Sequence, residues 1–259
     1  MGRHALIGHT GFVGANLAHQ HRFDANFNSK NIWEIHGSSF ELLVIAGVQA
    51  KKWWANLHPQ EDWAQIQSLL DPLAKVQAAE VVLISTIDVL PLHAGTNEDT
   101  DPHFYENHAY GRHRLRVEDR VRSMFDVVKV VRLPGLFGAG LKKNVIYDLL
   151  NSNQLEKINP SSTIQYYDLG RLWQDIELLR KNPIDLVHLF TEPVKTETIV
   201  NCFFQDVVVG RDAGPEVHYD LRTKYGPVFG GVDGYIETAD QVLERMSLFI
   251  SDYRTDSMT

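Results

Sequence analysis

The sequence predicts a doubly wound parallel α/β sheet with a smaller mixed α/β lobe, and three observations carry that prediction. Short apolar runs alternate with amphipathic helical stretches through the first half of the chain, a glycine-rich turn joins the first run to the first helix, and the alternation breaks up beyond Gly140. No internal repeat, low-complexity tract or Pro/Gly/Ser-rich linker separates independent domains. Residues 1–140 are therefore expected to form the sheet domain and residues 141–259 the lobe, with the chain free to return to the sheet within the second span.

Ala5-Leu6-Ile7 reads as the first strand, the run from Gly8 to Gly14 as a turn, and residues 13–21 as a helix. Phe23, Ala25 and Phe27 alternate with polar residues, which predicts a second strand over 23–28, followed by a short helix over 31–36. The continuous apolar run 40–46 fits a strand buried on both faces. From 59 to 76 Trp63, Ile66, Leu69, Leu70 and Leu73 recur at helical spacing, interrupted near the end by Pro72. A strand over 80–85, an amphipathic helix over 109–124 and a strand over 127–133 complete the alternation, which Pro134 and Gly135 close. Beyond them helices are expected over 144–150, 172–180 and 237–253, and a strand over 186–190.

Composition narrows the function classes. The 259 residues are 44% hydrophobic and 22% charged, with a net charge of −8, so the basic footprint of a nucleic-acid binder is missing. A single cysteine, Cys202, excludes an internal disulfide framework and multi-cysteine metal sites; it reads as a small buried side chain in a reducing compartment. No apolar run reaches the roughly 20 residues of a membrane span, and the N-terminal apolar run meets Gly8 too soon for a signal-peptide core, so the expected location is cytoplasmic. The twelve histidines are scattered and no H-E-x-x-H or facial triad appears; no metal is expected.

Gly8, Gly11 and Gly14 are spaced G-x-x-G-x-x-G where a strand hands over to a helix. Residues without Cβ let the backbone turn tightly and bring a pyrophosphate to the helix N-terminus, whose N–H groups and dipole favour negative charge. A dinucleotide is the expected cofactor, with Thr10, Phe12 and Val13 sharing the turn. The acidic residue that usually holds an adenine ribose about 20 residues on is not evident. Asp24 comes early in the second strand, while Asn28, Ser29 and Lys30 stand at its end and tolerate the 2′-phosphate of NADP; NADP is slightly favoured and NAD stays open. Ala46, Gly47, Ser85, Pro134 and Leu136, at or near the carboxyl ends of strands, are the remaining expected cofactor contacts.

Three segments in order, the Gly8–Gly14 turn, Leu83-Ile84-Ser85-Thr86-Ile87-Asp88-Val89 and Tyr110-Gly111-Arg112-His113-Arg114-Leu115, make a family visible. The chain resembles the extended short-chain dehydrogenase/reductases, the NAD(P)-dependent epimerase/dehydratase group that acts mostly on nucleotide sugars. Arg132-Leu133-Pro134-Gly135-Leu136-Phe137-Gly138 and Gln165-Tyr166-Tyr167-Asp168-Leu169 agree with it. The resemblance implies a Rossmann-type sheet with a substrate lobe, Tyr110 as the acid/base at the reacting hydroxyl or carbonyl, and Thr86 hydrogen-bonding the same oxygen. It also places helix 109–124 where relatives pair as homodimers.

Two positions depart from the family pattern. The lysine expected four residues after the tyrosine is Arg114, which keeps the charge, can donate to the nicotinamide ribose and would lower the pKa of Tyr110, but cannot relay protons. On this reading Arg114→Lys retains or raises activity. Asp88 falls on the second position of the acid–base pair that follows the Ser/Thr in dehydratases, whereas Ile87 occupies the first. Asp88 is thus either an optional second acid/base or a loop carboxylate capping local N–H groups.

In the lobe, Lys142, Lys143 and Asn144 follow a glycine-rich turn at the start of a helix, a suitable place for a substrate diphosphate; Arg222 and Lys224 are later candidates, and surface lysines are the bland alternative. Trp53-Trp54 would stack on a base or sugar, or serve as a lid or subunit contact. Together these features predict an NAD(P)-dependent oxidoreductase or epimerase of a hydroxyl/keto group on a nucleotide sugar. The rival is a non-catalytic dinucleotide-binding sensor or scaffold, favoured by Arg114, Ile87 and Gly135 and opposed by Thr86 and Tyr110.

Overall fold

The computed structural model describes residues 2–256. In chain order the elements are β1 (His4–Ile7), α1 (Phe12–Gln20), β2 (Ala25–Phe27), β3 (Ser39–Ile45), α2 (Lys52–Leu57), α3 (Pro59–Leu70), β4 (Gln77–Thr86), α4 (Ala109–Met124), β5 (Val128–Leu133), β6 (Gly135–Phe137), α5 (Val145–Leu150), β7 (Thr163–Ile164), β8 (Tyr166–Asp168), α6 (Leu172–Lys181), β9 (Leu186–His188), β10 (Val194–Lys195), α7 (Thr196–Phe203) and α8 (Ala239–Asp256). They fall into two compact units. One holds the chain up to Pro91, Asp99–Leu133 and Leu172–His188; the other holds Leu92–Glu98, Pro134–Arg171 and the chain from Leu189 onward.

The first unit is built on a six-stranded sheet in the order β2-β1-β3-β4-β5-β9, with every neighbouring pair parallel. The strand order reverses at β1, so a crevice is expected at the carboxyl ends of β1 and β3. The β5 strand is buried along its whole length although it carries Lys129 and Arg132. Lys129 Nζ donates to the carbonyls of Asn182 (3.1 Å) and Ile184 (2.8 Å), which satisfies its ammonium group. Arg132 holds Glu118 of α4 with Nε at 3.1 Å and Nη2 at 2.7 Å, Glu118 accepts from Ser85 Oγ at 2.5 Å, and Nη1 donates to His188 Nε2 at 3.2 Å. This buried chain ties β4, β5 and β9 to α4.

Helix α4 buries Tyr110, Arg114, Val117, Glu118 and Val121, a stripe of helical period in which two of five side chains are charged. Its span is the one read from the sequence. Other elements differ at their ends. The helix read over 59–76 is α-helical only to Leu70 and continues as a 3-10 segment, Asp71–Lys75, because Pro72 cannot join the α ladder. The short helix over 31–36 is a 3-10 turn, Ile32–Ile35. The strand over 23–28 contracts to β2, with Asp24 accepting the His4 N–H at 2.8 Å just before it begins.

The second unit contains a parallel pair, β6 with β8, and an antiparallel pair, β7 with β10. Helix α8 buries Val242, Met246 and Ile250, one face at i, i+4 and i+8, and its Phe249 ring lies 5.7 Å from that of Phe137 in β6. Gln165 is fully committed: Nε2 donates to the carbonyls of Thr191 and Leu221, and Oε1 accepts the Leu221 N–H. Cys202, expected inside, is exposed, because α7 turns Thr196, Ile199 and Val200 inward and leaves Cys202 on the other face. No helix among the described residues is long and apolar enough to cross a membrane.

Candidate active site at the carboxyl edge of the sheet

The glycine turn is shaped by contacts that only glycine permits. Gly8 has φ +93° and its N–H donates to the Phe27 carbonyl at 2.7 Å. A Cβ there would stand 2.5 Å from Gly47 Cα, and one on Gly14 would stand 2.0 Å from the Gly8 carbonyl oxygen. Gly8 and Gly14 thus let β1, the exit of β3 and α1 close on one another. A Cβ on Gly11 would meet only the Gly8 oxygen, at 3.3 Å, so the outer side of the turn is open. Gly11 is also the N-cap of α1 and has no side chain to take the N–H groups of the first helical turn. An open glycine cradle at an uncapped helix N-terminus fits the pyrophosphate of a dinucleotide.

The parallel register pairs Ile7 with Phe27, which puts Asn28 beside Gly8 and Asp24 at the opposite end of the strand. Asn28 is half-buried and shapes the turn: its N–H donates to Asn31 Oδ1 and its Oδ1 accepts the Lys30 N–H, both at 2.8 Å. Ser29 and Lys30 are exposed. Ala46 continues the ladder from β3, its N–H donating to the Ile7 carbonyl at 2.9 Å. The hydroxyl of Ser85 belongs to the buried Glu118 chain.

At the end of β4, Thr86 Oγ1 caps the 3-10 turn Ile87–Val89 by accepting the Asp88 N–H at 3.2 Å. The N-terminus of α4 packs on this turn through Asn107, whose Nδ2 donates to the carbonyls of Asp88 (2.9 Å) and Val89 (3.2 Å). A Cβ on Gly111 would stand 2.3 Å from the Asp88 oxygen; the glycine after Tyr110 is what allows the approach. Tyr110 is buried in the first turn of α4, its N–H donating to Asn56 Oδ1 of α2 at 2.9 Å. Burial outweighs the neighbouring Arg114 charge and pushes the phenol up to about 12, with Asp88 and Asp62 adding to the rise. The Arg114 charge acts to lower this pKa, as its place four residues after Tyr110 implies, but desolvation is larger.

Arg114 is not on a solvated face. It is 5% exposed, its Nη1 donates to Asp62 Oδ2 of α3 at 2.6 Å, its Nη2 donates to the Gln49 carbonyl, and its guanidinium lies over the Tyr110 ring with Cζ 4.0 Å from the centroid. His113 Nδ1 donates to the same Asp62 oxygen at 2.7 Å. Asp88, in contrast, meets Lys52 of α2, with Nζ–Oδ1 at 2.5 Å, and His108, with Nε2 at 3.8 Å from the same oxygen. His108 Nδ1 accepts the Gly111 N–H at 3.0 Å, so the neutral ring carries its proton on Nε2, toward Asp88. Burial and then the Lys52 charge hold the His108 pKa below its ordinary value.

No motif in the sequence marks Lys52, Asn56, Asp62, Asn107 or His108 as site residues. Two signals bear on them: Asp62 lies in the first turn of a helix that opens with Pro59, and His108 stands at the N-cap position of α4. Trp53 is exposed and Trp54 stacks on His58 at 5.4 Å. In the second unit Pro134 precedes β6 and Leu136 lies within it. Lys142 and Lys143 are exposed after the turn of positive-φ Gly138 and Gly140. The Asn144 side chain is used internally, accepting the Tyr147 N–H at 3.1 Å and donating to the Leu136 carbonyl at 2.8 Å. Arg222 binds Asp220 through two donors at 3.1 Å and the Asp233 carbonyl at 2.8 Å. Among the described residues no group of three or more His, Cys, Asp or Glu could hold a metal.

This architecture is the fold of the extended short-chain dehydrogenase/reductases. The chain is similar to the solved structure of MoeE5 in complex with UDP-glucose and NAD, at 12% identity and a TM-score of 0.75, covering 100% of both chains. It is similar to dTDP-4-dehydrorhamnose reductase from Bacillus anthracis in complex with NADP, at 14% identity and a TM-score of 0.70, over 95% of this chain and 98% of that one. It also resembles UDP-glucose 4-epimerase from Thermotoga maritima with UDP-glucose, at 13% identity and a TM-score of 0.67, over 98% and 99%. No family model matches the sequence, and no curated protein matches it. At these identities the likeness is one of fold.

Proposed function

We propose that the chain is an NAD(P)-dependent oxidoreductase or epimerase acting on a hydroxyl or keto group of a nucleotide-linked sugar. The observation that carries this reading is the packing of buried Tyr110, through Gly111, onto the Thr86–Asp88 turn at the carboxyl end of β4, in the sheet whose Gly8–Gly14 turn forms an anion cradle. A nicotinamide dinucleotide supplies or accepts hydride when bound. Gly8, Thr10, Gly11, Phe12, Val13 and Gly14 would hold its pyrophosphate, with Ala46 and Gly47 beside the turn. Asn28, Ser29 and Lys30, with no carboxylate among them, favour a 2′-phosphate and hence NADP.

With its phenol pushed up to about 12, Tyr110 is protonated at neutral pH and acts as the acid toward a carbonyl oxygen, which favours reduction. Thr86 would hold the same oxygen, and Lys142 and Lys143 would meet the substrate diphosphate. Nucleotide sugars are named with structures of this fold, UDP-glucose among them, which supports the substrate class. The buried Asp62–Arg114 lock favours the rival reading, a dinucleotide sensor without turnover.

Tyr110→Phe separates the two. It is expected to lower turnover by about 10²–10⁴-fold while NADPH affinity, followed through tryptophan fluorescence, stays within about threefold for a residue that acts only in the transition state. Unchanged turnover rejects the acid/base assignment, and binding of NADPH without any turnover in the wild type establishes the sensor.

A further inference from the structure

Under the proposed reading, Tyr110 must recover a proton after giving one to a carbonyl oxygen. Arg114 cannot pass one on: a guanidinium does not deprotonate in proteins, and this one holds Asp62 and the Gln49 carbonyl. A route lies at the N-terminus of α4, where Asn107 holds the Asp88 carbonyl. Thr86 Oγ1 donates to Asp88 Oδ2 at 3.4 Å, and Asp88 Oδ1 accepts from Lys52 Nζ at 2.5 Å. The Lys52 side chain is 43% exposed and that of Asp88 20%, so the chain begins in solvent and ends at the Thr86 hydroxyl, which the proposed reading assigns to the reacting oxygen. The other polar groups against it are His108, through Nε2, Asn107, at the Asp88 carbonyl, and the Tyr110 side chain.

We propose that Lys52, Asp88 and Thr86 form a proton chain from solvent to the reacting oxygen, with the Lys52 ammonium as its entry. The inference rests on the reading of Tyr110 as the acid. In the reducing direction Thr86 gives its hydroxyl proton to the phenolate left on Tyr110 and takes one from Asp88. Asp88 takes one from Lys52 as an Nζ–H bond breaks, turning about Cβ–Cγ to pass it on, and water reprotonates the amine. One proton enters per turnover, the one that ketone reduction consumes, and no electrons move along the chain. Lys52 thereby replaces, from a different helix, the relay that Arg114 cannot provide.

The test compares Lys52→Arg, which keeps the charge and the ion pair but cannot release a proton, with Lys52→Met, which removes both. With NADPH and dTDP-4-dehydrorhamnose as the probe pair, both variants are expected to lose about tenfold or more in steady-state rate. The first turnover should stay within about twofold of wild type, since Tyr110 starts protonated, and the solvent deuterium isotope effect on kcat should rise. Wild-type speed in Lys52→Arg overturns the chain, because charge alone then suffices. A readout without cofactor or substrate accompanies it: the titration midpoint of His108, followed by NMR of labelled histidine, should rise in Lys52→Met and stay in place in Lys52→Arg. No rise in Lys52→Met overturns the cluster itself. A wild type that binds NADPH but never turns over rejects the parent reading and the chain with it, whereas an active, Tyr110-dependent wild type with an equally active Lys52→Arg rejects the chain alone.

Discussion

Two ion pairs flank the N-terminal half of α4 and differ in almost everything but their formal charges. Asp62–Arg114 is dry, with side chains 4% and 5% exposed, and the guanidinium donates from Nη1 to Asp62 and from Nη2 to the Gln49 carbonyl. Lys52–Asp88 is open to water, at 43% and 20%, and its partners are a hydroxyl and an imidazole that can take part in proton transfer. Burial turns the first pair into a strut that fixes the Tyr110 ring and joins α3 to α4. Partial exposure leaves the second free to exchange protons.

The contrast is broken most directly at Asp62. Asp62→Ala leaves a buried guanidinium without its counter-charge and is expected to cost about 3–5 kcal/mol in urea unfolding; a loss below about 1 kcal/mol, the range of exposed pairs, would show that the two sites do not differ in kind. Arg114→Lys comes next. The sequence alone suggested that it would retain or raise activity, but the arginine spans Asp62, the Gln49 carbonyl and the Tyr110 ring, a geometry that one ammonium cannot reproduce. The expected cost is about 1–3 kcal/mol of stability, the range for hydrogen bonds to a charged group. Lys52→Met should change stability by less than about 1 kcal/mol, whatever it does to rate.

The alkaline limb sharpens the same comparison. The folded-state pKa of Tyr110, about 12, lies above its ordinary value of 10.0, so the native state holds this proton longer than the unfolded chain does. Its contribution to stability is fully present below pH 10 and is lost as pH rises from 10 toward 12. In Tyr110→Phe the loss of stability over that window should be smaller than in the wild type, and one late step should vanish from the ultraviolet titration of the phenols.

The legibility of the sequence followed length and period. The stripe of α4 repeats over four turns, and its bounds, Ala109–Met124, coincide with the expectation. The central strands β3, β4 and β5 were visible as apolar runs because consecutive residues, Leu42–Ile45, Val81–Leu83 and Val128–Leu133, are buried in them. Helix α2 was missed: six residues long, it buries only Ala55 and leaves Trp53 and Leu57 in water, so it has no apolar stripe to read. The strands β6 and β8, three residues each, are too short to show an alternation. Of the expected site residues, Thr86, Asp88, Tyr110 and Arg114 do gather around the start of α4. Ser85 and Asn144, by contrast, have their side chains committed to other protein groups.

What the sequence by itself determined is local: the glycine turn, which needs glycine at Gly8 and Gly14, the alternation of strand and helix, and Tyr110 at the head of a helix. What the tertiary structure decided is which charge serves which. Lys52 meets Asp88 across 36 residues and Arg114 meets Asp62 across 52, separations that no motif or helical period spans. An arginine four residues after a tyrosine has the same sequence whether it lies in water or under a ring. The packing of α2 and α3 against α4 buried Arg114 and left Lys52 at the surface, and desolvation then set the difference between a strut and a proton donor.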